Sequence, residues 1–74
     1  MTKLRLRFYG CDHEGDLLRH EDGLIALGAK VCELGALDGE SGTIDIEVSD
    51  PEAFKTALRT SEVNDFLSSM WGIK

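Results

Sequence analysis

The sequence predicts an α/β (α+β) sandwich: one antiparallel or mixed sheet with two helices on one face. Three observations predict it. Leu4, Leu6 and Phe8 alternate with Lys3, Arg5 and Arg7, and Ile44, Ile46 and Val48 alternate with Asp45 and Glu47, the two-residue period of half-buried strands. Leu17, Leu18, Leu24, Ile25 and Leu27 recur at helical spacing and give way to Gly28, a helix stop. Asp50-Pro51-Glu52 is a helix start, with aspartate at the cap, proline at the first position and an acid in the first turn.

The first strand covers residues 3–9 and ends at Gly10. Cys11 to Asp16 is a polar loop in which Asp12 or Gly15 caps a helix over residues 16–27, and its acids suit the positive helix end. His20 fills the gap in that helix's apolar stripe, three after Leu17 and four before Leu24. Gly23 inside the helix costs up to about 1 kcal/mol against alanine. Lys30 to Leu37 reads as the second strand, whose poor alternation and Gly35 suit a sheet edge with a bulge. Asp38-Gly39-Glu40-Ser41-Gly42 is a hairpin turn into the third strand. Phe54, Ala57 and Leu58 form the inner face of the second helix. The last stretch supports two readings. Val63, Phe66, Leu67 and Met70 fall at i, i+3, i+4 and i+7, which predicts more helix over 61–71, capped by Ser61 and stopped by Gly72. The architecture asks instead for a final short strand within 66–74.

Laid antiparallel, the first and third strands place arginines opposite carboxylates on the open face and apolar side chains together beneath it. A one-residue slip would send every charge into the core, so the register is well specified. The first and second strands, joined over a helix, run parallel. The third strand lies between them, and both helices share a face. This order, βαββα(β), is the ferredoxin-like arrangement.

With 74 residues the chain is a single domain, residues 1–74. A domain of that size buries only about 60% of its unfolded surface, so association helps it. The net charge of −6 and the pI near 4.7 argue against nucleic acid and against an anionic membrane surface, both of which call for a basic face. No apolar run approaches the roughly 20 residues of a membrane span, and the N-terminus lacks the apolar stretch of a signal peptide. Two cysteines make no disulfide framework. The expectation is a reduced, cytoplasmic protein.

From the first strand to about Leu58, the sequence resembles ACT domains, small regulatory modules of amino-acid metabolism. Asp12-His13-Glu14-Gly15-Asp16-Leu17 is similar to the family's Asp-x-Pro-Gly-Leu-Leu loop. Leu24, Gly28 and Val31 match the later part of that unit, and Ile44 to Asp50 with Ala53, Ala57 and Leu58 match the third strand and second helix. Glu14 stands where the family has proline, Asp16 where it has the first leucine, His20 where it has an apolar residue, and Lys30 where it often has a polar ligand contact. The resemblance implies a binding module rather than a catalyst. It implies edge-to-edge dimers, with an amino acid held between the first loop of one subunit and the second strand of the other.

The expected ligand-binding residues are therefore Asp12, His13, Glu14, Gly15, Asp16, His20 and Lys30. In that loop Gly15 would let the backbone approach a small molecule, and N–H groups at a helix start hold a carboxylate, while the acids attract an ammonium group. A zwitterion uses both features. His20 has a plainer reading as a neutral core histidine, and beside a pocket it would respond to pH near neutrality. Val31, Cys32, Leu34 and Ala36 form an apolar edge whose self-pairing into a homodimer would cover it. Cys11, Asp12, His13, Asp16 and His20 are ligand types that suit zinc or nickel, yet no Cys-x-x-Cys or His-x-x-x-His spacing is present, and no metal or other cofactor is expected. The acids around Cys11 raise rather than lower a thiol's pKa, and residues 10–18 carry no Arg or Lys for a phosphate, so no enzyme activity is expected. Trp71 and Met70 read as core or as a partner-binding patch, core being the commoner case. A second reading is an interaction module without a small ligand, an accessory subunit or acidic phage-type inhibitor that presents carboxylates to a basic protein partner.

Overall fold

A computed structural model describes residues 1–11, 14–35 and 37–73, with Glu14 described in its backbone alone. In order the elements are β1 (Thr2–Phe8), α1 (Glu14–Ala26), β2 (Lys30–Leu34), β3 (Gly42–Val48), α2 (Pro51–Arg59), a 3₁₀ segment (Glu62–Phe66) and β4 (Leu67–Ile73). The strands form one sheet in the order β2-β3-β1-β4, every neighbouring pair antiparallel. The result is a small α+β domain.

The pairing of β1 with β3 follows from the alternation. Leu4, Leu6 and Phe8 lie opposite Ile46, Ile44 and Gly42, and Arg5 lies opposite Asp45. The apolar members are buried, Leu6, Phe8, Ile44 and Ile46 completely. On the open face the Arg5 guanidinium forks onto Asp45, with Nε to Oδ1 at 2.7 Å and Nη2 to Oδ2 at 2.9 Å. This bidentate pair holds the Asp45 carboxyl below its usual range. The register differs from a simple arginine-to-acid ladder at its ends. Glu47 meets Lys3 at 3.9 Å, and Arg7 lies opposite Thr43.

Both helices cover the opposite face, where Leu17 and Leu24 of α1 and Phe54 and Leu58 of α2 join the strand residues in one buried cluster. The α1 stripe is narrower than its composition implies, since Leu18 and Ile25 are half exposed. The helix stops in a Schellman motif: Gly28, at φ 94°, donates to Ile25 O and Ala29 donates to Leu24 O, with the side chains of Leu24 and Ala29 both buried. At the start of α2, the Asp50 carboxylate accepts from Ala53 N at 3.2 Å and Pro51 follows it.

Three expectations are corrected. The second strand ends at Leu34 rather than Leu37, and its irregularity falls between Val31 and Glu33, not at Gly35. Gly35 is needed for another reason: a Cβ there would strike Thr43 Oγ1. The helical reading of 61–71 gives way to a 3₁₀ segment followed by a strand. Met70 faces the core opposite Leu6, whereas Trp71, read as core, lies opposite Arg5 on the open face, 39% exposed.

Gly23 marks where α1 receives the 3₁₀ segment, because a Cβ on it would collide with Val63 Cγ2. Gly23→Ala should therefore destabilise by about 1–3 kcal/mol in urea denaturation despite alanine's better helix propensity. Val63→Ala in the same chain should recover part of that loss. A stabilising Gly23→Ala would show that this contact is loose.

Candidate functional site

The open end of β1 and the facing turn of α1 frame a cleft of about 280 Å³. One wall is a single helical stripe, Asp16, Arg19, His20 and Gly23, spaced at i, i+3, i+4 and i+7. The other wall is the 3₁₀ segment, with Glu62, Val63 and Phe66, and Gly10 closes the end. Gly10 has φ 74°, a left-handed conformation that glycine adopts without strain.

The floor is aromatic. The His20 ring stacks on Phe8 with centroids 4.7 Å apart and 19° between planes, and it meets Phe66 at 5.1 Å and 37°. Phe66 is itself 43% exposed toward the cleft side and leans on Tyr9 at 6.3 Å. The segment carrying it is clipped to the end of β1 twice: Tyr9 N donates to Phe66 O at 3.0 Å, and the Tyr9 hydroxyl donates to Asp65 O at 2.6 Å. Burial pushes the His20 pKa down, and the Asp16 carboxylate one helical turn away offsets part of that shift. His20 is thus the neutral, stacked histidine that the sequence allowed, and it also lines a cleft.

The charges around the rim are mixed. Arg19 is a cation on the α1 side, and Asp16 and Glu62 supply carboxylates from both sides. Among the described residues, no carboxylate lies within ion-pair distance of Arg19. The arrangement can hold an anionic and a cationic group at once, with an apolar surface between them. Cys11 is fully buried, and no three metal-ligating side chains converge among the described residues.

Of the expected ligand set, Asp16 and His20 line the cleft. Asp12 and His13 lie outside the described residues. Glu14 begins α1 and Gly15 lies in its first turn, so Gly15 is helical rather than a loop glycine. Lys30 pairs with Glu47, which pairs with Lys3, whereas the cleft sits past Phe8. Five strand positions, roughly 17 Å, separate those levels within one chain. Of the expected edge residues, Val31, Cys32 and Leu34 lie on β2, which is an outer strand, and Ala36 lies outside the described residues. Sequence reasoning did not place Gly10, Arg19, Gly23, Glu62, Val63 or Phe66 at the site. The available signal for Arg19 was its place on the Asp16–His20–Gly23 stripe; nothing in the sequence links Glu62 and Phe66 to that stripe, about 40 residues earlier.

Comparison with protein-family models, curated proteins and solved structures finds no match for this chain. Among the described residues, no helix is long and apolar enough to cross a membrane.

Since folding lowers the His20 pKa, the unfolded chain takes up that proton more readily. The stability His20 contributes is complete above the ordinary imidazole value near 6.5 and declines as the pH falls below it. Urea midpoints should drop between pH 7.5 and pH 5.5 in the wild type, and much less in His20→Leu. An equal drop in both proteins would assign the pH dependence to other groups.

Proposed function

We propose that this chain is a non-catalytic, cytoplasmic binding module of ACT-like, ferredoxin-like type that holds a small zwitterion, such as a free amino acid, in the cleft between α1 and the 3₁₀ segment. The observation that carries this reading is the position of Arg19 beside Asp16 on one wall and across from Glu62 on the other, over an aromatic floor. In it, Arg19 takes the carboxylate, the two acids take the ammonium group, and the ligand's apolar part lies on Phe66 and the His20 ring. The element order β-α-β-β-α-β and the strand order β2-β3-β1-β4 support the ferredoxin-like reading. Pairing of two copies along β2 belongs to the same reading: Cys32, Glu33 and Leu34 are exposed on that outer strand.

A second reading is favoured by the charge distribution. Of the fourteen acids in the sequence, Glu33, Asp45 and Glu47 lie on the open sheet face, while Asp16, Glu21, Asp22, Glu52, Glu62 and Asp65 lie on the helices and the 3₁₀ segment. A basic protein partner suits that excess, and its binding would weaken steeply with salt.

A thermal-shift series with single amino acids separates the two. Ligand at a hundred times its dissociation constant adds about 2.7 kcal/mol, and each kcal/mol raises the midpoint of a domain this small by about 4–8 °C. At least one amino acid should give such a shift, and Arg19→Gln should abolish it while leaving the unliganded midpoint within about 2 °C. A flat series, or a shift that survives in Arg19→Gln, would overturn the cleft assignment.

A further inference from the structure

Among the described residues, the sheet face opposite the helices is bare of any covering element, and its side chains fall in sorted rows. On β1 the row is cationic: Lys3, Arg5 and Arg7. Beside it on β3 stand Glu47, Asp45 and Thr43 at the same levels. Flanking these, β4 contributes Trp71 and Ile73, level with Arg5 and Lys3, and β2 contributes Glu33 and Lys30, level with Asp45 and Glu47. Cys32, at the β2 irregularity, reaches the same face, where it lines a depression of about 270 Å³ with Lys3, Arg5, Glu33 and Ile73. Among the described residues the face thus carries four cations and three acids, in contrast to the net charge of −6 of the whole sequence.

The strand order β2-β3-β1-β4 puts the boundary between the acidic and cationic rows at the centre of the sheet. A two-fold axis parallel to the strands and passing above that boundary lays a second copy's β1 over β3 of the first, and its β4 over β2. At two of the three levels an opposite charge is met, Arg5 over Asp45 and Lys3 over Glu47, each contact occurring twice, as an isologous interface requires, and at the third Arg7 lies over Thr43. The same operation sets Trp71 and Ile73 of one copy over Glu33, Cys32 and the Lys30 methylenes of the other.

We propose that this bare face is a self-complementary docking surface for a second copy of the chain, forming a sheet-on-sheet dimer distinct from pairing along β2. Sheets stacked in this way lie about 10 Å apart, which the side chains of the charge rows span. Three strands of seven residues and one of five cover at most roughly 20 by 23 Å, the low end of interface size. The interface is also rich in charge, whose desolvation offsets much of the attraction. The dimer is therefore weak, forms at high micromolar concentration and is salt-sensitive. It leaves the cleft open, because the cleft lies on the helical side.

Sedimentation equilibrium at up to about 1 mM chain tests this with charge reversal at one level of the face. The wild type should dimerise at 20 mM salt, with a dissociation constant at least about tenfold higher at 500 mM. Lys3→Glu and Glu47→Lys, each folded by circular dichroism, should both be monomeric alone, since each sets like charges over one another where positions 3 and 47 of the two copies meet. Their equimolar mixture should recover the dimer, because the two altered faces are complementary. Leu34→Lys, on the β2 edge, should dimerise like the wild type. A wild type that stays monomeric, or a mixture that does not recover association, overturns the proposal; loss of association in Leu34→Lys alone assigns it to the edge instead.

Discussion

The β1–β3 pairing is the constraint on which the rest of the structure depends. Its apolar side chains are all on one face and its charges all on the other, so a one-residue slip of either strand would bring charges onto the face where Leu4, Leu6, Phe8, Ile44, Ile46 and Val48 are buried. The Arg5–Asp45 fork adds geometric selection, because a bidentate pair requires the two side chains to be level. With these strands adjacent at the centre, β2 and β4 can add only at the edges, and the helices can cover only the apolar side.

That frame also determines where the cleft forms. Phe8 ends β1 on the core face, and its ring is the surface on which His20 of α1 stacks. Immediately beyond it, Tyr9 clips the 3₁₀ segment by two hydrogen bonds, which brings Phe66 against the same histidine. Gly23 lets Val63 approach α1 closely, so the two walls meet at the bottom while Arg19 and Glu62 remain at the rim. A buried imidazole holds this junction in a way that a fully apolar residue would not, since its charge state depends on the surrounding pH.

The parts legible in the sequence are those encoded by neighbouring residues. The alternation of β1 and β3, the Asp50-Pro51 start of α2 and the Gly28 stop of α1 each rest on local chemistry. The C-terminal stretch was ambiguous for a physical reason. Val63 and Phe66 satisfy a helical period because they lie on a 3₁₀ segment, and Leu67 and Met70 continue that count by coincidence, with the β1–β4 pairing shifting register between Arg7 and Phe8 to accommodate them. Half of the cleft was hidden in the same way: Asp16 and His20 were visible as polar residues on an apolar helix, but the residues that complete the site come from a segment whose position depends on tertiary contacts. Gly15 misled because a glycine beside a cap signal serves equally well within a helix's first turn.

Native-state hydrogen exchange tests the central place of the β1–β3 pair most directly. If the pair is the frame, amides in the ladder between Leu4 and Leu6 of β1 and Ile44 and Ile46 of β3 exchange slowest, only through global unfolding, while amides of β2 and the 3₁₀ segment exchange through smaller openings. Slowest exchange confined to α1 or α2, with the β1–β3 ladder opening as readily as β2, would contradict it.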